Sequence, residues 1–136
     1  MSKTYRQFLG SWGEQLAARY LQDKGYTILD QNVHTAYGEI DLIVVQERSP
    51  DLEQSEAETS LNSEVVFVEV KTRASSTFGL PEEAVTTQKK AHLLSSAQAF
   101  LQVHPELTGA WRIDVIAIRR QRGQSPEILH FENAVF

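Results

Sequence analysis

Two runs with the composition of buried strands stand on either side of a helical pattern, and this arrangement constrains the fold most. The runs are VVFVEVKTR at 65–73 and RIDVIAI at 112–118, both rich in β-branched residues. Between them, helical spacing extends from about Thr87 to Val103, with Thr86 as the predicted N-cap and Pro105 marking the end. Because a helix between two strands allows a parallel crossover, the pattern predicts an α/β domain.

The rest of the chain adds elements of both kinds. They are a helix from about Thr4 to Lys24 with Gly25 as its C-terminal cap, strands at 26–29 (YTIL) and 38–45 (GEIDLIVV), and a last strand at 127–131 (EILHF). The polar segment QNVHTAY between the first two strands is predicted to be a turn. The order α-β-β-β-α-β-β predicts a mixed β-sheet flanked by helices.

The chain has 136 residues, so residues 1–136 are predicted to form a single domain that buries a core without disulfides. It contains no cysteine, which excludes disulfides, thiolate zinc sites and a catalytic cysteine. The start MSKTYRQFLGSW lacks the apolar core of a signal peptide, and no apolar run approaches the ~18 residues that span a bilayer. These features predict a cytoplasmic protein without a membrane partner.

Residues 47–64, ERSPDLEQSEAETSLNSE, carry the whole negative excess of the chain. They hold six acidic residues against Arg48 alone, and the formal net charge of the chain is −5. The segment is polar, without an aromatic or β-branched cluster, and is therefore predicted to be an exposed flexible loop. The remaining residues balance in charge, so they can still present a basic face to a polyanion.

The strand VVFVEVKTR carries charges within an apolar run. Because alternate side chains point to opposite faces of a sheet, Glu69 and Lys71 share a face with Phe67 and Arg73. The valines at 66, 68 and 70 occupy the other face. The two charges of opposite sign are therefore predicted to lie side by side.

Asp41 adds a further charge in the preceding strand, GEIDLIVV. Alternation places Asp41 on the same face as Glu39, Ile43 and Val45. The residues predicted for the opposite face are Ile40, Leu42 and Val44. If this strand pairs with VVFVEVKTR, then Asp41, Glu69 and Lys71 converge at one position of the sheet.

Two carboxylates beside an ammonium group in an apolar sheet predict a metal site, because burying unpaired charge costs several kcal/mol per ion. Mg²⁺, or Mn²⁺ in its place, prefers hard oxygen ligands, and the Val70 carbonyl can add one more. The chemistry that fits is metal-assisted hydrolysis of a phosphodiester, with Lys71 acting on the attacking water or on the developing charge. A salt bridge at a strand end, Glu69 with Arg73 or Asp41 with Lys71, is the alternative that the pattern leaves open.

Three segments together carry a family resemblance, namely GEQLAARYL at 13–21, GEIDLI at 38–43 and FVEVKTR at 67–73. This set resembles the PD-(D/E)XK nuclease superfamily, specifically its YraN-like branch, which is related to archaeal Holliday-junction resolvases. The resemblance implies a restriction-endonuclease-like fold. It assigns to the catalytic and metal-binding site Asp41 as the motif aspartate, Glu69 and Lys71 as the E-x-K pair, and Glu14 as the acid from the first helix.

The function that the resemblance implies is a Mg²⁺-dependent endonuclease that hydrolyses phosphodiester bonds in DNA, with branched or junction DNA among the candidate substrates. The alternative is a nucleic-acid-binding module of the same fold that cuts little by itself and acts within a repair or recombination assembly. The intact set of Asp41, Glu69 and Lys71 favours the enzyme. Symmetrical cutting of two strands would favour a homodimer.

Four basic residues outside this set are candidate contacts to nucleic acid: Arg73, Lys89, Arg119 and Arg120. Solvated surface charge is the favoured explanation for Lys89, since lysine is mostly exposed, and it is an alternative for Arg119 and Arg120. Asp114 also lies within an apolar strand, where pairing with Arg112 is an adequate explanation. It is therefore predicted to be structural.

Overall fold

The structure, a computed structural model, describes residues 4–46, 63–74 and 86–135. These residues form two helices and five strands in the predicted order. The elements are α1 (Tyr5–Asp23), β1 (Tyr26–Thr35), β2 (Gly38–Gln46), β3 (Glu64–Arg73), α2 (Thr87–Gln102), β4 (Trp111–Arg119) and β5 (Glu127–Phe131). The predicted flexible loop at 47–64 lies outside the described residues except at its end. There the prediction is wrong for Glu64, which is the first residue of β3.

The strands form one sheet in the order β1-β2-β3-β4-β5. β3 and β4 run parallel, joined by the crossover that contains α2, and the other neighbouring pairs are antiparallel. The predicted α/β class with a mixed sheet flanked by helices is confirmed. The arrangement is consistent with a restriction-endonuclease-like fold.

Each face of the sheet is covered by one helix. Ala17, Ala18 and Leu21 of α1 pack against one face, and Leu93, Ala97 and Phe100 of α2 pack against the other. The sheet residues on the α1 face are Leu42, Val44, Val66, Val68, Ile116 and Ile118, and those on the α2 face include Ile43, Phe67, Ile113 and Val115. Among the described residues, no helix is long and apolar enough to cross a membrane.

β1 is longer than the sequence predicts. The segment predicted as a turn, QNVHTAY, continues the strand as far as Thr35, and only Ala36 and Tyr37 connect it to β2. The register of β1 against β2 shifts by one residue between Ile28 and Asp30. This bulge lies where the apolar alternation of YTIL stops. The rest of the strand is polar and lacks the alternation that predicts a strand, so the sequence predicts a turn there.

The prediction for Ile40 is also wrong. Leu42 and Val44 face α1 as expected, but Ile40 packs with Ile43 in the core under α2. Alternation breaks opposite Asn32, whose φ of 51° lies in the left-handed region and whose place in the β1–β2 register is skipped. Asparagine adopts this conformation more readily than most residues.

Candidate active site between β2 and β3

β2 and β3 separate before they end, and the candidate site lies where they part. Their ladder runs from Gln46–Glu64 to Leu42–Val68 and continues no further. Beyond it, the Val70 N–H donates a hydrogen bond of 2.8 Å to Asp41 Oδ2, so a side chain replaces the backbone acceptor of the next pair. We call this opening between β2 and β3, with Asp41 on one side and Glu69–Lys71 on the other, the fork.

Glu69 is the buried carboxylate of the fork, with 4% of its surface exposed. Its Oε1 lies 3.3 Å from Lys71 Nζ and 3.2 Å from Lys89 Nζ. Lys89 stands in the first turn of α2, where its backbone N–H donates to the N-cap Thr86. The candidate nucleic-acid contact Lys89 is therefore placed on a site carboxylate, and the E-x-K pair is in direct contact.

Glu14 of α1 completes the predicted set and brings in Asn32, which sequence reasoning missed, and Glu39, which alternation placed on the face of Asp41 but not in the site. With the side-chain amide of Asn32 turned so that its nitrogen faces the two acids, this nitrogen lies 3.0 Å from Glu14 Oε2 and 3.1 Å from Glu39 Oε1. The nitrogen is the atom that fits, because a carboxylate accepts hydrogen bonds. Asn32 can reach both acids because its left-handed backbone turns its side chain out of the regular alternation.

Gly13 allows α1 to approach the end of β3 closely enough to bring Glu14 to the fork. A Cβ atom at Gly13 would lie 1.9 Å from Thr72 Oγ1, far inside van der Waals contact. Gly13 is buried, and Thr72 follows Lys71 directly on the face opposite to Lys71. The absence of a side chain at this position is therefore a condition for the site geometry.

The fork holds more negative than positive charge. Glu14, Glu39, Asp41 and Glu69 stand against Lys71 and Lys89, and both lysines contact Glu69. Burial, then the nearby Glu69, Glu14 and Glu39, raise the pKa of Asp41 to about 8, although the hydrogen bond from Val70 N–H opposes the shift. Asp41 is therefore largely protonated at neutral pH in the metal-free protein.

Glu14 responds in the same direction. Burial, Glu39 and Glu69 raise its pKa, whereas a side-chain hydrogen bond with Asp41 lowers it. A hydrogen bond between two carboxyl groups needs a proton on one of them, which agrees with the raised pKa of Asp41. Two neighbouring carboxyl groups whose pKa values are both raised form a site that a cation would stabilise by displacing a proton.

The donors at the fork match a hard divalent cation in kind. Within the described ranges, no three Asp, Glu or His side chains already stand together as a ligand set; Glu69 contacts two lysines, and Asp41 accepts from a backbone N–H. Since the N–H and C=O of a strand residue point to the same side, the Val70 carbonyl also faces Asp41. Asp41, Glu69 and this carbonyl thus offer three oxygen donors, with Glu14 beside them.

The three arginines predicted to contact nucleic acid lie beyond the fork, where β3 and β4 end. Arg73 and Arg119 are partners in the parallel register, and Arg119 Nη2 is 2.7 Å from Glu127 Oε2. The Arg120 guanidinium lies 5.8 Å from the ring centroid of Trp12, and the backbone N–H of Arg120 donates to the Arg73 carbonyl at 2.8 Å. Arg73 Nη1 donates to the Thr72 carbonyl at 3.0 Å, so all three arginines have partners within the chain.

A groove of about 670 Å³ opens from the fork along α1. One wall is the first half of α1 and the other is the end of β3. The lining residues are Tyr5, Arg6, Leu9, Gly10, Glu14, Val70, Lys71, Thr72, Arg73 and Ala74. Glu14, Val70 and Lys71 belong to both the fork and the groove, so a ligand in the groove would reach the candidate catalytic residues.

Comparison with known proteins identifies the family. The model described as "Uncharacterised protein family UPF0102" matches residues 13–118, which is most of the chain. The chain belongs to the UPF0102 family. The matched segment begins at Gly13 and contains Glu14, Asp41, Glu69 and Lys71, and it ends before Arg119 and Arg120.

Relatives from several bacteria match this chain over nearly its whole length. A UPF0102 protein from Syntrophomonas wolfei is 43% identical over 126 residues, which cover 93% of this chain and 96% of that protein. One from Alkaliphilus oremlandii is 40% identical over 128 residues, covering 93% and 96%, and one from Syntrophotalea carbinolica is 39% identical over 132 residues, covering 96% and 94%. The UPF0102 relatives and this chain are therefore of similar extent.

Proposed function

We propose that this UPF0102 protein is a metal-dependent endonuclease of the PD-(D/E)XK type that acts on DNA, branched DNA included. The observation that carries the proposal is the fork itself, where four acidic side chains, of which Glu69 is buried, meet only two lysines at the point where two strands separate. A structural ion pair would balance its charges, whereas a site that receives a cation leaves negative charge over. Lys71 beside this excess supplies the one group that a purely structural metal site would not need.

Each residue of the fork has a role in this proposal. Asp41, Glu69 and the Val70 carbonyl would hold Mg²⁺ or Mn²⁺, with Glu14 as a further acidic ligand. When bound, such an ion polarises a phosphate and acidifies a coordinated water. Lys71 orients the attacking water or stabilises the charge that develops on the phosphate oxygens.

Residues around the fork keep the acids in position. Asn32 orients Glu14 by holding the amide nitrogen against its carboxylate, and Lys89 fixes Glu69 from the side of α2. Both act on an acid of the site, so they are positioning residues rather than groups that contact the reacting atoms. In a homodimer, two such sites could face the two strands of a junction.

The test is cleavage of labelled linear, flapped and four-way DNAs with Mg²⁺ or Mn²⁺. We expect Lys71→Met to lower the cleavage rate by about 10²-fold or more, the loss typical of one preorganised transition-state contact, while DNA binding weakens far less. Lys90→Met, which removes an exposed lysine from the same helix as Lys89, is the matched control and should cleave like the wild type. A Lys71→Met protein with wild-type specific activity would contradict the catalytic role of this lysine.

One observation favours a second candidate, a nucleic-acid-binding module without cleavage. Lys71 and Lys89 both contact the same oxygen of Glu69, so this carboxylate is neutralised without any metal. In that case Lys71→Met would leave a buried carboxylate with one partner fewer and would lower the stability instead of a rate. Thermal melting and cleavage measured on the same variant separate the two functions.

A further inference from the structure

The groove along α1 leads away from the fork and is not needed to hold a metal. At its inner end it shares Glu14 and Lys71 with the fork, and at its outer end it is lined by Tyr5, Arg6 and Arg73. A nucleic-acid strand whose phosphate lies at the fork must continue away from the fork in some direction. The groove offers a path between α1 and the end of β3.

The size of the groove restricts what can enter it. A volume of about 670 Å³ lies in the range of pockets that hold one drug-sized ligand, about 300–1,000 Å³. One strand of nucleic acid can lie in such a space with a base or two inserted. A double helix is too wide to lie inside this space. The major groove of a duplex is by itself about 12 Å wide, enough to admit a whole α-helix, and the duplex is wider still.

The chemistry of the outer end suits a single strand. Tyr5 is 62% exposed in the first turn of α1, so its ring is available to a base. Arg6 is exposed and forms no ion pair with any residue in the described ranges, and the first turn of α1 contains no acidic residue. Arg73 lines the opposite wall, and its Nη1 donates to the Thr72 carbonyl at 3.0 Å.

We propose that this groove binds a single-stranded segment of nucleic acid next to the scissile phosphate, with Tyr5 stacked on a base and Arg6 and Arg73 contacting phosphates. Stacking platforms beside cationic side chains are the usual means of holding single strands without sequence preference. The inference rests on the proposed nuclease function and deepens it, because it selects substrates that carry an unpaired strand at the cut, such as flaps and frayed junctions.

The first test measures binding of a short fluorescein-labelled oligothymidylate by anisotropy, in parallel with a hairpin duplex of similar length. Tyr5→Leu keeps apolar surface but removes the aromatic face, and we expect it to weaken oligothymidylate binding at least about fivefold. Tyr5→Phe keeps the ring and should bind like the wild type. Duplex binding should change less than about twofold in either variant, since the duplex does not enter the groove.

The salt dependence tests the arginine contact separately. Arg6→Ala should reduce the slope of log affinity against log salt for the single strand by about 0.7, the value for one lost phosphate contact. Two matched controls remove similar exposed groups elsewhere: Arg19→Ala on α1 and Tyr37→Ala in the β1–β2 turn. Both should keep the wild-type affinity and slope.

Three results would overturn the groove as a single-strand site. They are unchanged oligothymidylate binding in Tyr5→Leu, equal losses for the duplex and the single strand, and equal weakening by Tyr5→Leu and Tyr37→Ala. Cleavage of the DNA panel by the wild type keeps this outcome distinct from failure of the proposed function. If the wild type cleaves DNA but Tyr5→Leu binds oligothymidylate normally, the proposed nuclease function stands and the groove proposal fails. If Tyr5→Leu weakens binding but the wild type never cleaves DNA, the groove proposal stands and the nuclease function fails.

Discussion

Asp41 and Asp114 are both acidic residues in the interior of the sheet, in strands β2 and β4 on either side of β3. Burial would raise the pKa of Asp114, but hydrogen bonds from His130, Arg112 and the Asn133 backbone N–H hold it below its usual value. The same physical cost raises the pKa of Asp41 to about 8, since its neighbours are carboxylates and it receives one backbone N–H. Asp114 is therefore ionised and its charge is balanced by partners within the chain, whereas Asp41 has no such cationic partner among the described residues and its carboxyl group tends to stay protonated.

The partners of Asp114 extend across the whole sheet. Arg112 Nε lies 2.9 Å from Asp114 Oδ1, and His130 Nε2 lies 2.7 Å from Oδ2. Arg112 also donates to the Tyr26 hydroxyl at 2.9 Å and to Glu64, so β1, β3, β4 and β5 are joined by one network. The comparison shows that this chain can compensate a buried acid fully where the acid is structural, which makes the excess of acids at the fork a feature to be explained.

The largest expected effect is on the balanced side of the comparison. Asp114→Ala breaks a buried ion pair, because His130 Nε2 loses its acceptor and Arg112, which keeps Tyr26 and Glu64, loses its contact of 2.9 Å. We therefore expect the free energy of unfolding to fall by about 3–5 kcal/mol. Urea denaturation measures this loss. Asp30→Ala, which removes an exposed acid from β1, should change the stability by no more than about 0.5 kcal/mol, and a similar loss in both variants would remove the distinction.

A smaller loss is expected where α1 approaches the fork. Gly13→Ala places a Cβ atom against Thr72, and we expect the free energy of unfolding to fall by about 1–3 kcal/mol as the helix shifts. Gly10→Ala is the matched control on the same helix, because nothing lies within 4 Å of a Cβ atom there. It should stabilise the protein by about 0.5–1 kcal/mol through helix propensity, and a stable Gly13→Ala variant would show that α1 does not depend on this contact.

The opposite sign is expected at Asp41. Its folded pKa of about 8 lies above its ordinary value of 3.8, so the metal-free fold loses stability as the pH rises through this interval. Asp41→Asn removes that loss and should be more stable than the wild type at the alkaline end, with a difference that shrinks toward the acid end. Urea denaturation in a chelating buffer across the interval checks the trend, and a variant less stable than the wild type at alkaline pH would contradict it.

Much of this comparison could be predicted from the sequence, because period-two alternation placed Glu69 and Lys71 on one face and the apolar runs located every described strand. The pairing of Asp114 with Arg112 was predicted too, but His130 was not, since it comes from a strand whose register no local pattern reveals. Alternation also placed Glu39 on the face of Asp41, although not in the site, and Asn32 was missed for a different reason. A bulge and a left-handed residue in β1 break the alternation, and these backbone events depend on the pairing with β2 rather than on the residues themselves.

The central claim is that the excess of acids at the fork receives a divalent cation, and calorimetric titration of Mn²⁺ into the metal-free protein tests it most directly. The account predicts one weak site whose binding releases protons near neutral pH, because Asp41 must ionise to act as a ligand. Asp41→Asn and Glu69→Gln should each abolish this binding while remaining folded, and Glu106→Gln, an exposed acid outside the fork, should bind like the wild type. Undiminished Mn²⁺ binding in both fork variants would contradict the claim.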